Sequence, residues 1–217
     1  MKKLRILIAD DHEMVRQGLR AVLENHPGWE VCGEAVDGRE ALAQTCQLKP
    51  DVVVMDISMP ELNGLEATRQ ITRAHPSIHV VVLTVHDSEV LVRRVLEAGA
   101  RGYVLKSDAG RDVVAAIESL AANKPFFTTA VSELLLQTFL KACETGEQPG
   151  APEPLTPRER EIVQLLAEGK SNKEAGAVLG ISVRTVEAHR AHIMQKLDLQ
   201  SFSELVQYAM RNGITGG

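Results

Sequence analysis

The chain has 217 residues, 44% hydrophobic and 24% charged, with a formal net charge of −5. That is the make-up of a soluble globular chain with one large domain or two small ones. It excludes a membrane span, which needs about 20 consecutive apolar residues, and the start Met1-Lys2-Lys3-Leu4 lacks the character of a secretory signal. The cysteines Cys32, Cys46 and Cys143 are odd in number and lack metal-ligand spacing, so they are expected to be buried thiols in a reducing cytosol. Charge is unevenly spread: residues 1–124 hold 15 basic and 18 acidic side chains, residues 125–154 hold 1 and 4, and residues 155–217 hold 8 and 7. Bulk charge therefore announces no nucleic-acid partner, and any basic surface in the last segment must be local.

Five apolar runs alternate with helix-like stretches. Strands are predicted at Arg5–Ala9, Glu30–Ala35, Val52–Asp56, His79–Thr84 and Gly102–Leu105. Helices are predicted near His12–Glu24, Gly38–Leu48, Leu65–Ala74, Glu89–Ala98 and Arg111–Ala122. This alternation implies a doubly wound, five-stranded parallel sheet. After Lys124-Pro125 the rhythm changes: Val131–Cys143 has helical spacing, and Glu144–Pro154 is rich in Pro, Gly and Glu, the composition of a flexible linker. From Leu155 no strand pattern remains. Thr156 with Pro157, Ser171 with Glu174, Ser182, and Ser201 with Glu204 are start signals for four helices. Gly180 lies between the second and third, as in a helix-turn-helix. The expected division is 1–124, a connector over 125–154, and 155–217.

Strand ends carry the chemistry of the first unit. Asp10-Asp11 follow the first strand, Asp56 closes the third, Thr84 closes the fourth and Lys106 follows the fifth. In an open α/β sheet these positions share one rim. Singly, each has an ordinary explanation as a cap or surface residue; together they form a site. Carboxylates crowded on a rim need a cation, and oxygen ligation with open positions suits Mg²⁺. One of them can then attack phosphorus.

Residues 1–122 resemble the flavodoxin-like receiver domain of two-component response regulators through Ile8-Ala9-Asp10-Asp11-His12, Val54-Met55-Asp56-Ile57-Ser58-Met59-Pro60 with Gly64, Leu83-Thr84, and Gly99-Ala100-Arg101-Gly102-Tyr103-Val104-Leu105-Lys106. The resemblance implies that Asp56 accepts a phosphoryl group from a sensor histidine kinase. It makes Asp10, Asp11, Asp56 and the Ser58 carbonyl the Mg²⁺ site, Thr84 and Lys106 the partners of the phosphoryl oxygens, and Thr84 and Tyr103 the switch pair. Two positions depart from the common pattern: Ser107 stands where proline is frequent, and Val85, where a small residue is frequent, is expected to narrow access. The rival reading is a phosphatase with an aspartyl nucleophile, but the second acid it needs two residues on is replaced by Ser58.

The tail resembles the LuxR-type DNA-binding domain of NarL/FixJ regulators through Leu155–Glu161, Gly169–Glu174, Leu179–Ser182, Thr185–His189 and Ile193–Leu197. On a helix after Ser182, Val186, Ile193 and Leu197 fit a buried stripe. Arg184, Thr185, Glu187, Ala188, Arg190 and Ala191 cover the exposed faces, where Glu187 can accept from cytosine and the arginines can reach guanine or phosphate. Asn172, Lys173 and Lys196 suit phosphates. His189 and His192 are expected to be surface residues. At Ala175-Gly176 the family usually has Ile-Ala, so Gly176→Ala is expected to stabilise this helix. The whole then implies a cytoplasmic, phosphorylation-dependent transcription regulator and not an enzyme. It binds promoter DNA as a homodimer when phosphorylated, with RNA polymerase as a further partner. A tail that binds protein in place of DNA is the second rival.

Overall fold

The computed structural model describes residues 3–85, 89–129, 131–133 and 155–215. Its first part is a parallel sheet of β1 (Leu4–Ala9), β2 (Trp29–Ala35), β3 (Val52–Asp56), β4 (His79–Thr84), β5 (Gly102–Leu105) and β6 (Phe126–Phe127), in the order β2-β1-β3-β4-β5-β6. Strand side chains alternate between two cores. Ile6, Ile8, Val52, Val54, Val81 and Leu83 face one side, where they pack with Leu19 and Leu23 of α1 (Glu13–Glu24) and Val113, Ile117 and Leu120 of α5 (Ala109–Ala121). Leu7, Ala9, Val53, Met55, Val80 and Val82 face the other. There they meet Ala41 of α2 (Gly38–Leu48), Leu65 and Ile71 of α3 (Gly64–Ala74), and Val92 and Val95 of α4 (Glu89–Glu97). Burial on both faces explains why these strands are continuous apolar runs.

The expected five strands are present, and a sixth joins them. Phe126 pairs with Gly102 and Phe127 with Tyr103, placing the first residues of the expected connector on the sheet edge. A two-residue strand behind Pro125 has no periodicity to reveal it. Val131, 2% exposed, joins the core beside Tyr103. Beyond Glu133, the expected helix to Cys143 and the Pro/Gly/Glu-rich segment lie outside the described residues. The cysteine expectation fails for the two described thiols. Cys46 is exposed and Cys32 half-buried, its Sγ 3.3 Å from the Ile6 carbonyl on a strand edge that α-helices do not cover.

The second part is four helices: α6 (Pro157–Ala167), α7 (Asn172–Leu179), α8 (Val183–Lys196) and α9 (Phe202–Arg211). Their expected caps all form. Thr156 and Ser171 each close a capping box with Glu159 and Glu174, and the Ser182 and Ser201 hydroxyls accept from the N–H groups of Thr185 and Glu204. Ile162, Leu165, Ala175, Val186, Ile193, Leu205 and Ala209 form one core. Gly180 ends α7 in the left-handed region (φ 65°) and turns the chain into α8.

The two parts meet through α6. Gln164, 1% exposed, accepts from the Asn63 N–H (2.8 Å) and donates to the Met59 carbonyl (3.0 Å). Around it, Arg39 pairs with Glu161 at 3.2 Å, Gln70 donates to Glu161 at 3.1 Å, and Arg94 reaches Asn212 at 3.0 Å. The seam is mostly polar, which is how separable domain contacts differ from a shared core.

Candidate functional site

Because all strands run parallel, the residues leaving β1, β3, β4 and β5 converge on one rim, at the point where the sheet order reverses between β1 and β3. Asp10 is fully buried, Asp56 is 2% and Thr84 1% exposed. The Lys106 ammonium stands between two of the acids, 2.7 Å from Asp10 and 2.9 Å from Asp56. Ligand atoms of Asp10, Asp11, Asp56 and His12 lie within 4.8 Å of one another. The His12 side chain, not singled out from the sequence, lies 2.7 Å from Asp11, and its N–H donates to Asp10 at 2.9 Å. Its signal was only its place after two aspartates.

Charge at this rim is unbalanced. Three carboxylates face one ammonium, and two of the three are out of water. Burial pushes the Asp56 carboxyl up, the Lys106 ammonium and an N–H of Ser58 draw it down, and the Asp10 charge raises it again; the net direction is up. Burial alone would lower Lys106, but its bonds to Asp10 and Asp56 raise it, so it stays charged. A hard divalent cation fits this donor set: carboxylate oxygens with the Ser58 carbonyl two residues past Asp56. Asp56, Thr84 and Lys106 are thus brought together, with Asp11 on the exposed side. Tyr103 is fully buried one strand away on β5. Thr84 follows Val82, the partner of Tyr103, by two residues and so faces the same side of the sheet. Ser107 lies in a 3₁₀ turn, Lys106–Asp108, and Val85 is 67% exposed at the rim.

The loop from Asp56 to α3 is held tightly. The Gly64 N–H donates to the Ile57 carbonyl at 2.9 Å, and a Cβ on Gly64 would overlap the Asp56 carbonyl oxygen. Only glycine lets α3 start this close to the acid.

In the four-helix part, Arg184, Thr185, Glu187, Ala188 and Ala191 are exposed along α8, while Val186 and Ile193 are buried and Leu197 partly so. Arg190 is half-buried, its guanidinium carbon 5.1 Å above the Phe202 ring. Lys173 is exposed and Asn172 half-buried in the first turn of α7. Lys196 is committed internally, 2.8 Å from Glu159, with His192 3.3 Å from the same carboxylate. Burial would raise the Glu159 carboxyl, but Lys196 and the Thr156 cap hold it below the usual range. Sequence reasoning missed Glu159 as the anchor of α8 because its partner is 37 positions away.

Comparison with known proteins agrees with both parts. The response regulator receiver domain model matches residues 6–118, and that of bacterial regulatory proteins of the luxR family matches residues 153–209. The transcriptional regulatory protein LiaR of Bacillus subtilis is 41% identical over 209 residues, covering 96% of this chain and 98% of LiaR. A structure of the Salmonella typhimurium response regulator RcsB is 29% identical with a TM-score of 0.64, covering 98% of this chain and 99% of its own. A structure of an RcsB–DNA complex is 29% identical with a TM-score of 0.58, covering 95% and 98%. With strand-end acids on a receiver sheet and a capped helix-turn-helix behind them, both matched along nearly the full length of the relatives, the chain belongs to the NarL/FixJ-type response regulators and is a transcription regulator.

Proposed function

We propose that Asp56 is the phosphoacceptor and that its state sets DNA binding by residues 155–217. The observation that carries this is Lys106, whose ammonium straddles Asp10 and Asp56 at a buried rim. An Asp56 oxygen attacks the phosphorus of a phosphohistidine on a sensor kinase. The O–P bond forms as the P–N bond breaks, and the imidazole leaves with its electron pair. Lys106 and the Thr84 hydroxyl meet the phosphoryl oxygens, and Asp10, Asp11, Asp56 and the Ser58 carbonyl hold Mg²⁺. When bound, that ion supplies positive charge for the crowded acids and the transferring group. Thr84 and Tyr103, on one face of adjacent strands, are the switch pair. The chain thus serves its own phosphotransfer and dephosphorylation and turns over no separate substrate.

For the output we assign residues 125–154 as connector. Arg184, Thr185, Glu187, Ala188, Arg190 and Ala191 are the groove-facing set on α8, and Asn172, Lys173 and Lys196 the phosphate contacts. The exposure of α8 and the RcsB–DNA complex support this reading. Its setting is the cytoplasm, where kinase and promoter meet. The test is calorimetry with beryllium fluoride and Mg²⁺, the fluoride standing in for the phosphoryl group. The native chain should bind it and Asp56→Asn should not. Equal binding by both would remove Asp56 from the role.

A further inference from the structure

The receiver touches the DNA-binding domain at an unexpected place. It leaves the outward face of α8 exposed and grips the end of α6 and the turn leading into α7. The gripping element is the loop Ile57–Asn63, which leaves the phosphoacceptor strand. Gln164 bridges its Met59 carbonyl and Asn63 N–H, and the Asn63 side-chain amide donates to the Ile214 carbonyl at 3.0 Å. At the tip, the Glu61 N–H lies 3.2 Å from both carboxylate oxygens of Glu168, and the Glu61 carboxylate accepts from Lys170 at 3.2 Å. Glu61 has φ 62°, a left-handed conformation that a side chain with Cβ adopts at a cost. The bonds that fix it come from the other domain, so the strain is sustained by docking.

Lys170 immediately precedes Ser171, the cap of α7, and Asn172 and Lys173 follow in the turn assigned to DNA phosphates. A helix N-terminus flanked by lysines is where a phosphate binds. Here a receiver carboxylate already holds one of those lysines. We infer that Glu61 occupies Lys170 in place of a DNA phosphate, so that docking of the receiver and binding of the duplex backbone exclude one another at this corner while α8 stays uncovered. This inference rests on the DNA-binding reading above. The clamp has two parts of unequal weight. The Glu61–Lys170 pair is about a third exposed on each side and contributes little by itself, whereas Gln164 and Asn63 are buried. Since the loop begins at Asp56 and its Ser58 carbonyl is assigned to the cation, a ligand at Asp56 acts on the same loop that Gln164 holds.

The experiment uses the full, unphosphorylated chain with a random-sequence 30-base-pair duplex, over a salt series, and amide hydrogen exchange of Glu61 and Asn63. Glu61→Gln should bind the duplex about two- to fivefold more tightly, the size expected from losing one exposed competing pair. Gln164→Ala should gain more and lose protection at Asn63. In the native chain, saturating duplex should remove protection at both amides. Duplex bound with protection intact, and equal affinity of all three chains, would overturn the clamp alone. No duplex binding by any chain would overturn the DNA-binding reading, and the competition with it. Loss of Asn63 protection in Gln164→Ala separates that second failure from an error in the docked geometry.

Discussion

At the residue scale the chain places unlike side chains under unlike constraints. On the exposed surface of α8, Glu187 carries a negative charge toward a polyanion, which is unfavourable unless its carboxylate finds a donor on a base edge. Lys173, exposed at the first turn of α7, has no such requirement and serves any phosphate. Glu187→Ala should therefore change sequence preference more than affinity. Lys173→Ala should weaken all duplexes alike and flatten the log–log salt slope by about one. Selection from a random duplex pool, followed by titrations at several salt concentrations, measures both. A uniform loss in both variants with preference unchanged would reject readout by Glu187. The receiver residues were legible because strand ends mark them: Asp10, Asp56, Thr84 and Lys106 each follow an apolar run. Lys196 was legible only as a basic residue on a helix. Its commitment to Glu159 comes from packing between α6 and α8, which no local pattern carries.

At the element scale the instructive case is α7. Compared with the family pattern, Ala175-Gly176 looks like lost volume and a weak helix centre, and that comparison predicts stabilisation by Gly176→Ala. The structure overturns this expectation. A Cβ on Gly176 would lie 2.8 Å from the Ile181 carbonyl oxygen, with Val183 and Val186 each 3.6 Å away. The obstacle is backbone of the turn that leads into α8, and the Ile181 N–H in turn donates to the Gly176 carbonyl at 2.9 Å. Helix propensity favours alanine by roughly 0.5–1 kcal/mol. Overpacking a tight contact costs about 1–3 kcal/mol, so the clash wins. Gly176→Ala should lower the melting temperature of the chain and weaken DNA binding, because the shift passes directly to the start of α8. Thermal melts with a duplex titration check this, and a raised melting temperature would show that the turn yields freely. The same contrast governs legibility elsewhere. Strands and capped helices were readable because their signals are local: alternating burial, Thr156-Pro157, Ser171 with Glu174. β6 escaped because two phenylalanines become a strand only by lying beside Gly102 and Tyr103.

At the scale of the whole molecule, the seam between domains could not be read from the sequence. Asn63, Gln164 and Arg94 are polar residues of the kind that cover any surface, and the contact between Asn63 and Gln164 spans 101 positions. Their burial here has an energetic meaning. Buried amides and charges must be partnered, and these partners can be exchanged for water when the domains part, so the docked state is held without an apolar core to break. The DNA-binding part carries a formal charge of only +1, from 8 basic and 7 acidic side chains in residues 155–217. One such domain has modest electrostatic affinity for a polyanion, and two joined copies raise it through effective concentration. Phosphorylation at Asp56 should therefore shift the chain toward dimers that bind paired half-sites, with centres about 10 base pairs apart or a multiple of that spacing. Light scattering with and without beryllium fluoride and Mg²⁺ gives the oligomeric state. Titrations of selected duplexes carrying one half-site or two give the affinity gain. A treated chain that dimerises and gains affinity only on the paired site meets the expectation. A gain of equal size on one half-site, in a chain that remains monomeric, would assign activation to release of the clamp by itself, and the dimer would have no part in it.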